Sequence, residues 1–161
     1  MSKDLIGERG EALFRVAITR WCDGKQWLRA DFLGAKEEGL DFEVVLIDST
    51  VFRAVCYVQV KATAKARRYS GAGNARRLMV RLLSADAKKL GTMKVPAYVV
   101  GIDVNSGAAY IRHVPAGAKK GFQGMSCRRP LNCKAIRRLW QEVEDFWNSR
   151  PQGLDASTLE G

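Results

Sequence analysis

The chain has 161 residues, enough for one ordinary domain with a core and too few for two. A hydrophobic content of 47% argues against wholesale disorder, and no apolar run reaches the roughly 18 residues a membrane-spanning helix needs. Lysine and arginine total 27 against 17 acidic residues, a net charge of +10 at pH 7. That excess points to an acidic polymer as partner, a nucleic acid ahead of an anionic membrane surface.

The opening segment MSKDLIGERGE is charged throughout and lacks an apolar signal core, so the expected location is the cytoplasm. The four cysteines, Cys22, Cys56, Cys127 and Cys133, show no Cys-x-x-Cys spacing, and His113 is the only histidine. This argues against a structural zinc site and against Ser-His-Asp or Cys-His chemistry. Reduced thiols are expected, with Cys56 in the core and His113 in a structural or surface role.

A helix is predicted from about Asp4 to Trp21, capped by Ser2 or Asp4. Its apolar stripe would be Leu5, Ala12, Leu13, Val16, Ala17 and Trp21, with Glu8 and Glu11 on one face. Trp27 to Leu33 reads as a short strand and 34–39 as a polar turn. Leu40–Ile47 and Val51–Lys61 are predicted to form an antiparallel hairpin around Asp48-Ser49-Thr50, apolar enough to lie inside a mixed sheet. Ala62–Ala75 reads as a basic, mobile loop. Arg77–Leu83 is expected as a strand and Ser84–Gly91 as a helix capped by its serine. Val95–Asp103 and Ala108–Val114 form a second predicted hairpin. Pro115–Arg129 is expected to be irregular. A final helix from Asn132 to Asn148 carries Ile136, Leu139, Trp140, Val143, Phe146 and Trp147 inward, its tryptophans packing in the core. One domain over 1–149 and a flexible tail over 150–161 complete the organisation.

Residues 39–61, GLDFEVVLIDSTVFRAVCYVQVK, carry the chemistry. Asp41 heads the first strand. Gln59 and Lys61 close the second, two apart and so on one side of it. Polar groups at the ends of buried strands are costly without a use. A hard divalent cation such as Mg²⁺ takes oxygen ligands and only one or two carboxylates. Asp41, the Val60 carbonyl and the Gln59 amide oxygen supply such donors, and a glutamate of the first helix, Glu8 or Glu11, can add another. Lys61 is placed to orient an attacking water or to stabilise charge on a phosphate. Each residue also has a structural reading: Asp41 as a turn residue, Lys61 as an exposed strand end, Gln59 as a partner for backbone.

The order Gly7-x-x-Gly10-Glu11, Gly39-Leu40-Asp41 and Val58-Gln59-Val60-Lys61, on helix, strand and strand, resembles the PD-(D/E)XK nuclease superfamily. The likeness extends over about Asp4 to Val114. It is strongest to Mrr-like and defence-associated bacterial domains with a Gly-x-Asp and Val-Gln-Val-Lys signature. Leu40 stands where the superfamily's proline would be, and Gln59 where its last acid would be. The resemblance implies an α/β fold with a restriction-endonuclease-like core, a mixed central sheet flanked by helices. It implies an endodeoxyribonuclease dependent on Mg²⁺ or Mn²⁺, in phage defence or DNA processing, acting as a homodimer or within a larger defence complex. Catalysis would fall to Glu11, Asp41, Gln59 and Lys61, and metal binding to Asp41, Val60, Glu11 and Glu8. The Gly-x-x-Gly-Glu context favours Glu11 over Glu8. Phosphate contacts are expected from Lys65, Arg67, Arg68, Arg76 and Arg77, and from Lys119, Lys120, Arg128 and Arg129. A binding module of the same fold with a lapsed site is the alternative that Gln59 keeps open.

Overall fold

The computed structural model describes residues 2–34 and 40–150. The expected polar turn beyond Gly34, the motif residue Gly39 and the tail from residue 151 onward lie outside the described residues.

The main sheet has five strands: β3 (Leu28–Phe32), β4 (Phe42–Leu46), β5 (Val55–Thr63), β8 (Ala97–Asp103) and β9 (Ala109–Val114), in that spatial order. β3–β4, β4–β5 and β8–β9 are antiparallel, whereas β5 and β8 run parallel. A parallel pair needs a long crossover. Here it carries β6 (Tyr69–Ser70), a 3-10 turn, β7 (Arg77–Leu78) and helix α2 (Ser84–Gly91). The architecture is mixed α/β, with a mixed central sheet and, among the described residues, three α-helices. β1 (Trp21–Cys22) and β2 (Lys25–Gln26) form a small ribbon beside it.

Each face of the sheet has its own apolar layer. α1 (Lys3–Ile18) and α3 (Cys133–Asn148) cover one face, where Phe14, Ile18, Ile136 and Leu139 meet Phe42, Val44, Val58 and Val100. α2 and a second, three-stranded sheet, formed by β6, β7 and a short strand at Met125–Ser126, cover the other, where Leu78, Leu82 and Leu90 meet Ala97 and Val99. The central strands are therefore buried on both sides, as their continuous apolar character predicts. α3 is held from its first turn to its last. Asn132 caps it by accepting from the Ala135 N–H at 3.0 Å. The indoles of Trp140 and Trp147 donate to the carbonyls of Ile47 and Val55, both at 2.9 Å. Buried Glu144 accepts from the Ser49 and Thr50 hydroxyls, which fastens the β4–β5 turn to the helix.

Several expectations need correction. α1 is capped by Ser2, but its buried face is Gly10, Phe14, Ala17 and Ile18. Leu5, Val16 and Trp21, placed on the inner stripe from periodicity, are exposed. The helix ends before Trp21, and the smaller Gly10 sets its inner side. β5 begins at Val55 rather than Val51, because Arg53 takes a left-handed conformation (φ 54°) in the turn. The supposed loop Ala62–Ala75 contains the end of β5 and all of β6. Arg68 and Tyr69 are anchored on fully buried Asp103, at 2.7 and 2.8 Å. Only Arg77–Leu78 of the predicted Arg77–Leu83 strand is paired as one, and Pro115–Arg129 contains β10 (Met125–Ser126), paired with β7. Ser84 does not cap α2; its hydroxyl accepts from the Gly121 N–H at 3.2 Å. Finally, Cys22 and Cys133 form a disulfide with Cα atoms 5.6 Å apart, contrary to the expected reduced thiols. Cys56 is free and buried, as expected.

Candidate active site

β4 and β5 pair from Val45↔Val55 to Phe42↔Val58, and β5 then runs on for five residues. Asp41 sits where the two strands part. Its backbone N–H donates to the Val58 carbonyl at 3.3 Å. Its carboxylate, Oδ2, accepts from the Val60 N–H at 2.6 Å. The acid thus takes over an edge position that a longer β4 would have filled, which explains an aspartate at a strand start. The Val60 carbonyl lies on the same edge of β5 as its N–H, by strand geometry, and so on the side of Asp41.

Glu11 reaches this corner from the other layer because Gly10 lets α1 come close. A Cβ on Gly10 would lie 2.5 Å from the Cβ of Ala62 and 3.9 Å from Val60 Cγ1. Only glycine permits that approach. Burial pushes the Glu11 carboxyl above the usual carboxylate range, and the negative charges of Asp41 and Glu8 push it further. The Asp41 carboxyl is also raised, first by burial; the Val60 N–H and the Lys61 charge act against this, and Asp86 adds to it. The Asp41 charge thus acts on Glu11, and the Asp86 charge on Asp41, so negative charge gathers at this corner. Glu8 is exposed on the helix surface, one turn before Glu11.

Gln59 and Lys61 project to the face covered by α2. Gln59 is 5% exposed, and its Oε1 is buried with no hydrogen-bond partner among the described residues. Lys61 Nζ lies 3.6 Å from Asp86 Oδ2. Asp86 is the residue that sequence reasoning missed. It stands in the first turn of α2, where an acid also suits the helix dipole, so its type gave no separate signal. Its role follows from the parallel crossover, which lays the start of α2 beside the end of β5.

The corner brings together Glu11, Asp41, Val60, Lys61 and Asp86, with Gln59 between Val58 and Val60 on β5. Among the described residues, no group of three or more His, Cys, Asp or Glu side chains is arranged to hold a metal ion. The oxygen donors beside Asp41 are the Glu11 carboxylate, in electrostatic contact with it, and the Val60 carbonyl on the adjoining edge of β5. Such a set suits a hard divalent cation, and the unpartnered Gln59 oxygen is one acceptor such a cation could engage.

The basic residues expected on phosphate divide into two groups. Lys65 and Arg67 are exposed just beyond the end of β5. Arg68 is committed to Asp103, and Arg76 lies 3.8 Å over the Tyr69 ring. Arg77, Arg128 and Arg129 line a cavity at the far edge of the sheet, and Lys119 and Lys120 line a neighbouring one. No family model, curated protein or solved structure matches the chain.

Proposed function

We propose that the protein is a divalent-metal-dependent nuclease that hydrolyses phosphodiester bonds in DNA, on a restriction-endonuclease-like core. The observation that carries this reading is the corner where β4 and β5 part. There Asp41 bonds the Val60 N–H at 2.6 Å and is in electrostatic contact with Glu11 and Lys61. The element order α1, β3, β4, β5, α2, β8, with β5 and β8 parallel, supports the core assignment.

Mg²⁺ or Mn²⁺ would be held by Asp41, Glu11, the Val60 carbonyl and the Gln59 amide oxygen, and would supply Lewis acidity and an acidified water. The chain's own groups supply the rest. Asp41 fixes the β5 edge, so that the Val60 carbonyl and Gln59 are held in place. Lys61 directs an ammonium toward the phosphate oxygens, where negative charge builds as the water oxygen attacks phosphorus. Asp86 holds that ammonium in position. The bond to the leaving oxygen breaks; the attacking water gives up a proton to solvent, and the leaving oxygen takes one up from solvent.

The test is incubation of the purified protein with plasmid and linear DNA in Mn²⁺ or Mg²⁺. Cleavage that falls at least about 100-fold in both Asp41→Asn and Lys61→Met supports the assignment, since each removes a group acting at the reacting centre. Cleavage that survives both substitutions refutes it. The neutral Gln59, together with the lack of a three-carboxylate cluster among the described residues, favours one second reading: a nucleic-acid-binding module of the same fold with a lapsed site. Calorimetry that detects DNA binding but no Mn²⁺ binding would select it.

A further inference from the structure

Two concavities meet across the outer edge of the sheet, away from the Asp41 corner. The larger, of about 650 Å³, opens between β9, the chain around Arg128–Pro130 and the start of α3. The smaller, of about 390 Å³, lies between β9 and the segment Pro115–Phe122. Arg112 and His113 line both, so the two form one trough over the edge strand.

The charge in this trough is one-sided. Arg77, Arg112, Arg128, Arg129, Lys134 and Arg138 line the larger cavity, and Lys119 and Lys120 extend the series into the smaller. Glu142 is the sole lining carboxylate, and it is engaged by Arg138 at 3.5 Å and by the Tyr98 hydroxyl at 3.0 Å. Arg128, Arg129 and Lys134 have no ion-pair partner among the described residues. So many cations converging on a concave surface repel one another, and an extended polyanion relieves that repulsion.

The trough also carries flat side chains at its centre. Arg112 stacks over the Phe122 ring with its guanidinium carbon 4.5 Å from the centroid. His113 is exposed, with its ring centroid 5.3 Å from that of Tyr98. Successive residues of a strand face opposite ways, so these two planar groups straddle the β9 edge. Guanidinium and aromatic faces are platforms on which unpaired bases stack. Bases paired in a duplex keep their faces stacked on one another, so a single strand is the form that presents free base faces to Arg112 and His113.

We propose that this trough binds single-stranded nucleic acid, with its cations along the phosphodiester backbone and Arg112 and His113 against the bases. The site is separate from the candidate nuclease corner and does not depend on it. Along β5, β8 and β9, Gln59, Val99 and Arg112 are in register, but Val99 between them is fully buried under α2. Buried Val99 therefore separates the corner on the central strands from the trough at the β9 edge.

The test is fluorescence anisotropy of labelled 15-nucleotide oligo-dT and oligo-rU in EDTA, where metal-dependent cleavage is silent. The variant combines Arg112→Ala, Lys134→Ala and Arg138→Ala, all at exposed positions. A charge-matched control combines Lys3→Ala, Lys25→Ala and Arg29→Ala, and circular dichroism checks that both fold. Single-strand affinity is expected to fall at least tenfold in the trough variant, with the slope of log K against log salt shallower by about 2, and less than threefold in the control. The dT and rU arms show which sugar the site takes. Equal losses in variant and control overturn the proposal, as does unlabelled duplex that competes as well as single strand, or a mononucleotide that displaces the oligonucleotide at equal concentration. Because the readout needs no metal and keeps Asp41 and Lys61 intact, loss of the nuclease reading leaves this result unaffected.

Discussion

Replacing Gln59 with leucine separates stability from function. Gln59 lies on β5 with an Oε1 that is buried and has no hydrogen-bond partner among the described residues. A buried acceptor without a partner costs about 1–3 kcal/mol. Leucine removes the unpaired acceptor and is larger than glutamine by only about one methylene, a change whose packing cost is small beside the penalty removed. Gln59→Leu is expected to stabilise the metal-free protein by about 1–2 kcal/mol, a rise in Tm of about 2–8 °C for a chain of this size. The assay is differential scanning calorimetry in EDTA beside a plasmid cleavage assay in Mn²⁺. A higher Tm and lost cleavage are expected in the same variant. If Gln59→Leu lowers stability by more than about 1 kcal/mol, the amide already has a partner in the folded chain, and the idea that its oxygen is kept for a ligand fails.

Other outcomes follow from named contacts. Gly10→Ala places a methyl group 2.5 Å from the Ala62 Cβ, so it should lower Tm despite alanine's better helix propensity; Ala62→Gly added to it should restore both Tm and cleavage. Asp103 is held down to about 2 by Arg68, Tyr69 and Ser106 against the opposing effect of burial. Its folded-state value is below its unfolded one, so its contribution is complete above about pH 4 and is lost as pH falls toward 2. Asp103→Asn should therefore flatten the acid limb of a Tm–pH profile. The Cys22–Cys133 bridge closes 111 residues. Its reduction, or Cys22→Ser, should cost up to about 5 kcal/mol by chain entropy, read as a lower urea midpoint.

The two hairpins were largely legible, but the parallel pairing of β5 with β8 that joins them was not. Continuous apolar runs marked β4 and β5 for the inside of a mixed sheet, and Asn132 and Gly91 marked helix ends. The polar groups at the ends of β4 and β5 stood out because buried strands rarely carry them. Other features were hidden for physical reasons. The inner face of α1 turns on Gly10, which contributes nothing to a hydrophobic stripe, so periodicity selected Val16 and Trp21 instead. Asp86 could not be found by spacing, since it meets Lys61 only through the crossover. The pairing of Cys22 with Cys133 depends on where α3 docks against the β1–β2 ribbon, which no local pattern encodes. β6, β7 and β10 are two-residue strands held by long-range partners, too short to leave a period-two signal.

The central claim is that the parting of β4 and β5 builds a divalent-cation site. A crystal structure of the protein soaked with Mn²⁺, with anomalous scattering recorded, tests it most directly. An anomalous peak is expected within coordination distance of the Asp41 carboxylate and the Val60 carbonyl, lost in Asp41→Asn. A fully soaked crystal with no peak there, or a peak bound to other residues, would contradict it.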